Sequence, residues 1–509
     1  TRGQRRMELN AIRCSLNTLL TQNATDEIKF AKQKLIEHGN KPGKCLSYLR
    51  KTRIAIQTIA SVSNGSGSCS TDPEVINAAF LEFYRNLYQS EQCDNSHWKW
   101  RAIRSLQNGK APGFTSEFYK EFRDLLSKPY LDMLNDSLGT GVLPLSRREA
   151  NISLILKKTK PPEDCGSYRP ISLLNVDLKI LSKILTTHLE GILPYVINTD
   201  QTGFIKGHDS CNNLKRLLNI IQFCQQHAVN GLEVSLDAEK AFDRVGWSYL
   251  IYTTQQFGLG SNFINWIKIL YNGPLAAVIP NGLRSKNFEV GRGNRQGCPL
   301  SPLLFTLVIE PLAELIRGDS NVFGVNTEQG VHKISLYANE CFVVSFQACW
   351  VITIISDFSL FSGDKINLSK SEAMPLGKHH LPSSPFKWSP AGFVYLGIFI
   401  TPCFDQMFKA NFVPLLDKIK QDLERWTSLP IGRISLLKMN ILPCLLYPMR
   451  MIPIVFPHKL IQKIKGWFSS VIWSKKRVLI KMSTLQLPNH MGGLDLPDLK
   501  KYQVSSLLV

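Results

Sequence analysis

The stretch LYANECFVV (336–344) limits the possible folds more than any other part of the chain. Two apolar flanks meet at Ala338, Asn339 and Glu340. The pattern predicts two antiparallel strands joined by a tight turn, since little else reverses a chain in so few residues. More β-rich runs lie between about 150 and 400: ISLIL, LEVSLDA, AAVIP, KISLYA, CFVVSF and FVYLGIFI. Helix-prone stretches separate them, so the body is expected to be mixed α/β (α+β).

Outside that body the pattern changes. Residues 1–60 read as polar and helical, and SVSNGSGSCSTDPE (61–74) is the best linker candidate. VINAAFLEFYRNLYQSE (75–91) has the spacing of an amphipathic helix. Beyond about residue 405 strand signals thin out and basic helical segments take over. The chain starts at Thr1 and stops abruptly at SSLLV, the ends expected of a fragment.

Charge narrows the partners. The net charge is +20, and residues 407–482 alone hold 14 Lys and Arg against 3 Asp and Glu, or +11. An excess of this kind favours a polyanion. Trp426, Tyr447, Trp467, Phe468 and Trp473 are interleaved with those cations, either as stacking platforms or as the core of a helical bundle. No apolar run approaches the roughly 20 residues of a membrane span, and TRGQRRMELN lacks the apolar core of a secretory signal. An intracellular protein without a membrane partner is therefore expected. The 12 cysteines form no C-x-x-C pair, which argues against zinc sites and a disulfide framework.

Two stretches carry candidate chemistry. In VSLDAEKAFDRVGW (234–247) a β-rich run ends at Asp237, with Phe242 and Asp243 five and six residues on. A carboxylate at a strand's C-terminal end is well placed to meet other strand ends, although acids at a helix start also serve as caps. In GRGNRQGCPLSPLLFTLVIEPLAELI (291–316) the spacing G-x-G-x-x-x-G fails a dinucleotide fingerprint. It reads instead as a loop bearing Arg292, Arg295 and Gln296, in which Gly297 lets the backbone approach a ligand. Ser301 before Pro302 suits an N-cap with proline at the first helical position.

Taken in order, SYRPISLLN (167–175), DQTGFIKG (200–207), LDAEKAFDRV, RQGCPLSPLLF, the YA hairpin, GDKINLSKSE (363–372) and YLGI (395–398) resemble the reverse transcriptase of LINE-type non-LTR retrotransposons. The resemblance runs from about residue 75 to 500. It implies a right-hand polymerase with fingers, a split βαβ palm and a helical thumb. By resemblance the fingers, with part of the palm, take 75–230, the palm 231–400, the basic thumb 401–482, and a truncated C-terminal region begins at 483–509. Residues 1–74 are left as a helical extension and linker. It also implies two Mg²⁺ ions, an RNA template, a DNA primer and deoxynucleoside triphosphates.

The residue roles follow by position. Asp237, Asn339 and Glu340 match the metal-binding carboxylates, and Phe242 matches the aromatic that excludes a ribose 2′-hydroxyl. Arg169, Gln296 and Gly297 match residues around template and triphosphate, and either Lys365 or Lys370 matches the residue that supports the triphosphate or acts as proton donor. Tyr395 and Gly397 match the primer grip, and Arg433 and Lys438 lie in the thumb.

Three departures stand at functional positions. Where the family has Ala-Asp-Asp, this chain has Ala338-Asn339-Glu340. An amide removes one negative charge, and the longer acid displaces its oxygens. GKAPGFTSEFYK (109–120) lacks a Pro-Asp-Gly after Gly113, and His208 stands where the family has Arg. The expected function is thus an RNA-directed DNA polymerase module with impaired catalysis. The alternative is a non-catalytic nucleic-acid-binding remnant.

Overall fold

In the computed structural model the described residues are 59, 61–63, 69–87, 116–157, 160–327, 330–338, 340–345, 348–377, 386–426, 433–474 and 476–508. The helical expectation for residues 1–58, the 109–115 part of the shortened fingers motif, and Asn339 fall outside them. The chain divides into two compact units, one of Ile54–Arg216 with Ile220–Phe393 and one built chiefly on Val394–Val509.

The first unit opens with a minimal antiparallel pair, β1 (Val62–Ser63) and β2 (Cys69–Ser70), so the Ser/Gly-rich stretch contains paired strands as well as a connection. The helix Pro73–Leu87 follows and buries Ile76, Phe80 and Tyr84. A four-stranded sheet then forms in the order β4-β3-β6-β7. Here β3 (Glu149–Leu156) pairs antiparallel with β4 (Tyr168–Leu174) and parallel with β6 (Leu275–Val278), and β7 (Phe288–Glu289) closes the edge. A division into contiguous segments assigns β6 and β7 to the palm stretch, yet they complete the sheet begun by β3 and β4.

The second sheet of this unit carries the site. Its central strand β5 (Gly231–Asp237) is flanked by β11 (Glu340–Ser345) and β12 (Glu372–Leu376). Strands β10 (Ile334–Tyr337) and β13 (Lys387–Trp388) form the edges. A separate small hairpin pairs β8 (Val325–Thr327) with β9 (Gly330–His332). Residues Leu232 to Leu236 are buried apart from the half-buried Ser235, as in a strand covered on both faces, although Glu233 and Ser235 alternate with the apolar residues. On one face Val234, Leu236, Leu336 and Val343 join a core with Leu303, Leu304, Val308 and Leu312 of the helix Ser301–Gly318. Ser301 is that helix's first residue and not its N-cap: Leu300, already at φ −79° and ψ −31°, precedes it, and Pro302 occupies the first turn. The helix thus starts one residue earlier than the Ser-Pro signal indicated, because a tight turn, Ser301 N to Cys298 O, leads the chain in.

Behind the sheet, Asp364 is 3% exposed, and its Oδ1 accepts from the Lys365 amide at 2.9 Å. Burial pushes its carboxyl from 3.8 up to about 7, against the smaller opposing effects of that amide and of Arg244. The folded chain therefore holds this proton more tightly than the unfolded chain. Stability from the group is full below about pH 4 and is lost as pH rises through 7. Asp364→Asn keeps the acceptor without the charge. The variant is expected to match the parent at pH 4 and to exceed it at pH 8, by at most ~4 kcal/mol in urea unfolding.

In the second unit β14 (Phe393–Tyr395) and β15 (Ile398–Ile400) form a hairpin. Its two turn residues, Leu396 and Gly397, have φ +48° and +72°, the left-handed pair a two-residue hairpin needs. No strand follows Ile400 among the described residues. The helices Met407–Trp426, Leu442–Met451, His458–Ile472 and Leu499–Leu508 do. Phe412, Phe456 and Phe468 are core, Phe412 meeting Phe456 edge-on at 4.6 Å. Trp467 and Trp473 are half-buried, and Tyr447 is exposed but donates its hydroxyl to the Leu396 carbonyl. Lys409, Lys418, Lys420, Lys459, Lys463, Lys476, Arg477 and Lys481 stand exposed.

Candidate active-site cleft

Where β5 ends and β11 begins, Asp237 and Glu340 are direct cross-strand partners. Residues so paired have Cα atoms about 5 Å apart, so both carboxylates spring from one spot on the sheet. They line a cleft of about 500 Å³. The turn that delivers Glu340 spans two residues between the paired Tyr337 and Glu340, and its first, Ala338, has φ +53°. The segment after Gly363 wraps the other side of Asp237. Asn367 N donates to the Asp237 carbonyl at 2.7 Å, and Asp237 N donates to Ser371 Oγ at 3.1 Å. This wrap sets Lys370 Nζ 2.9 Å from Asp237 Oδ2. Lys365, by contrast, is not among the lining residues, and its backbone carbonyl accepts from Glu239 N.

One wall is two loops joined by backbone bonds. Gly293 N donates to Val245 O at 2.8 Å and Asn294 N to Phe242 O at 2.5 Å. Phe242 lies stacked on Phe305 of the Ser301–Gly318 helix, centroids 4.6 Å apart, and meets Phe204 edge-on at 6.4 Å. Its ring is therefore held in place by packing. Gln296 Nε2 donates to both oxygens of the buried Asp243, at 3.2 and 3.1 Å, and its carbonyl accepts from Ser172 N at 2.7 Å. Gly297 sits at φ +115°, and a Cβ there would stand 2.4 Å from the Ser172 carbonyl oxygen.

The lining is completed by Tyr168, Arg169 and Pro170 of β4, Lys157 just past β3, and Tyr84. The lining holds five cations, Lys157, Arg169, Lys240, Arg295 and Lys370, against the carboxylates Asp237, Asp243 and Glu340. Burial depresses Lys157 below the ordinary lysine range, and repulsion by Lys370 and Arg169 adds to it. Burial likewise lowers Lys240, with Lys157 contributing.

The cleft thus gathers Asp237, Glu340, Phe242, Arg169, Gln296, Gly297 and Lys370. Tyr395, Gly397, Arg433 and Lys438 belong to the 394–509 unit. There Tyr395 is buried, Gly397 completes a turn, Arg433 Nη1 donates to Ile472 O at 3.4 Å, and Lys438 Nζ donates to Leu494 O at 3.1 Å. Sequence reasoning passed over Lys157 and Lys240. Lys157 had a faint signal, a basic pair directly after the ISLIL run; Lys240 had none, because its place depends on a non-glycine φ of +53°. His208 turns inward, its Nδ1 2.7 Å from the Gln201 carbonyl oxygen.

The donors suit a hard divalent ion, which takes carboxylate oxygens. Asp237 and Glu340 supply two carboxylates on neighbouring strands, enough for one such ion. Among the described residues no three His, Cys, Asp or Glu side chains come together in a metal-holding group.

Comparison with known proteins follows the same residues. Residues 155–400 match the reverse transcriptase (RNA-dependent DNA polymerase) family. The chain is 28% identical over 402 residues to the transposon TX1 uncharacterized 149 kDa protein of Xenopus laevis, covering 71% of this chain and 30% of that one. It is 27% identical over 277 residues to the Pol polyprotein of the type-2 retrotransposable element R2DM of Drosophila melanogaster, covering 53% and 25%. With the RNA-directed DNA polymerase from mobile element jockey of Drosophila funebris it shares 28% identity over 257 residues, covering 49% and 27%. The chain therefore spans less than a third of the length of each of these relatives. A solved telomerase from Candida albicans aligns with a TM-score of 0.42 and 10% identity, over 78% of this chain and 64% of that one.

Proposed function

Because this chain carries the reverse-transcriptase region of a LINE-type, non-LTR retrotransposon, we propose that it is a template-directed DNA-synthesising module whose chemistry is impaired at residues 339 and 340. The observation that carries this reading is the cross-strand pairing of Asp237 with Glu340 on the floor of a cationic cleft walled by Phe242. Asp237, Glu340 and the oxygen of Asn339 are the groups that would hold divalent ions. When bound, such ions would activate a primer 3′-hydroxyl and neutralise the triphosphate.

The protein's own part is positioning and charge. Lys157 and Arg169 are placed to bind the triphosphate oxygens opposite Asp237. Lys370, and not Lys365, is the lysine that serves there, since it alone of the two lines the cleft. The Phe242 ring, braced by Phe305, meets the sugar edge and disfavours a 2′-hydroxyl. Gln296, fixed by Asp243, and the bare backbone of Gly297 shape the floor for template and incoming nucleotide. The 401–482 helices are the thumb, and the β14–β15 hairpin with Tyr395 and Gly397 the primer grip. Fingers and palm divide the first unit, with β6 and β7 completing the fingers sheet.

Primer extension on an RNA template with Mg²⁺ or Mn²⁺ tests the reading. The parent chain is expected to extend poorly, and the aspartate-restored chain well. A binding-only remnant is favoured by one feature, the amide at 339. It predicts primer–template binding with no extension at all by the parent chain.

Both readings share an expectation for salt. Primer–template affinity should fall steeply with ionic strength, the logarithmic slope losing about 0.9 for each duplex phosphate contact removed. Reversing Arg433 and Lys438 should flatten the slope. Because both donate to carbonyls of their own unit, Lys418→Glu with Lys420→Glu is the cleaner pair, these two being exposed. An unchanged slope in both double variants would remove the thumb assignment.

A further inference from the structure

We propose that Gln201 is the positioning residue of the 337–340 turn, its side-chain carbonyl fixing where that turn presents Glu340 to Asp237. The turn is under strain and its backbone is buried. Ala338 is 3% exposed at φ +53°, a conformation unfavourable for alanine. Its amide lies at the first turn position, outside the β10–β11 ladder, where a buried N–H without a partner is costly. Gln201 supplies that partner. It is fully buried, and its Oε1 accepts from Ala338 N at 3.2 Å and from Gly203 N at 2.8 Å.

Two donors converging on one atom also fix the orientation of the amide. Reversed, it would set N–H against N–H. In the observed orientation Nε2 has no partner among the described residues. A glutamine that leaves two buried donors unmet is a poor choice for packing alone, where methionine would fill the space without that loss.

The surrounding chain locks the glutamine to the hairpin. Leu336 N donates to Asp200 O at 2.9 Å, Thr202 N donates to Leu336 O at 2.9 Å, and Asn213 Nδ2 donates to Leu336 O at 2.6 Å. His208 Nδ1 holds the Gln201 carbonyl at 2.7 Å. Gly203 lies so close that a Cβ there would stand 2.2 Å from Ala338 N. Segment 200–203 is thus a seat for the turn, and Gln201 its contact with the turn's own backbone. The effect on ion binding rests on the polymerase reading above; the hydrogen bond does not.

Two measurements test it. In the chain as it stands, Gln201→Met should speed amide exchange at Ala338 about tenfold, with peptides from 149–156 unchanged as proof of an intact fold. Gln201→Glu, which keeps an acceptor oxygen, should stay within about twofold of the parent. Unchanged exchange in the methionine variant overturns the proposal. In the chain carrying Asn339→Asp and Glu340→Asp, Tb³⁺ luminescence competed by Mg²⁺ should show about tenfold weaker binding with Gln201→Met and rescue with Gln201→Glu. Equal affinities overturn the positioning role. If the restored chain binds no Tb³⁺ at all, the polymerase reading falls, and the exchange result alone decides for or against Gln201. Should the methionine variant not fold, Gln201→Asn, which withdraws the acceptor by one methylene, is read the same way.

Discussion

Replacing Asn339 and Glu340 together by aspartate is expected to raise primer extension on an RNA template by about 100-fold or more. The magnitude follows from metal sites in general, where losing even an outer partner costs about 10–100-fold. On the proposed reading a ligand charge itself is missing at 339. Asp237 and Glu340 face each other across adjacent strands, so the scaffold that aims the carboxylates is present. Asn339→Asp returns a negative charge to a cleft in which cations outnumber carboxylates. Glu340→Asp draws the second carboxylate back by one methylene, toward the strand. Each substitution alone should recover part of the effect, and the pair more than the sum, because the ligands act on a shared site. A restored chain that binds primer–template but still fails to extend would move the defect to the fingers segment at 109–115.

The second large effect is expected of Gly297→Ala. Its φ of +115° is reserved for glycine, and the added Cβ would stand 2.4 Å from the Ser172 carbonyl oxygen on β4. Relief requires the 293–297 loop to leave β4, breaking the Ser172 N to Gln296 O bond and drawing Gln296 away from Asp243. Backbone strain and overpacking each cost about 1–3 kcal/mol. A loss of roughly 3 kcal/mol should appear as a lower urea midpoint, with template-directed extension in the aspartate-restored chain falling to background. Gly191→Ala is the control. It lies within the Val176–Val196 helix with nothing within 4 Å of its Cβ position, and should stabilise by about 0.5–1 kcal/mol. If Gly297→Ala behaves like the control, the loop does not depend on this close approach.

Much of this site could be read from the chain because its parts are local. A strand ending at Asp237 and a turn ending at Glu340 are each short-range patterns, and two adjacent strand ends bring them together. What could not be read depends on distant partners. Strand β6 joins β3 in parallel across more than 100 residues of sequence, a pairing that no local pattern announces. Lys365 and Lys370 are equivalent as letters; the bond from Asn367 N to the Asp237 carbonyl separates them. Tyr395 is matched to the primer grip only by resemblance; it is buried at the end of β14, before a turn that takes two positive φ angles. The Ser-Pro signal at 301–302 misplaced the helix start by one residue, since Leu300 had already taken up helical geometry.

The contact between Lys370 and Asp237 has one more consequence. It works as a tethered counterion, present at an effective concentration in the millimolar range or above. Any free cation drawn to Asp237 must displace an ammonium that cannot diffuse away. The folded chain therefore carries its own counterion at the strand end where Asp237 meets Glu340.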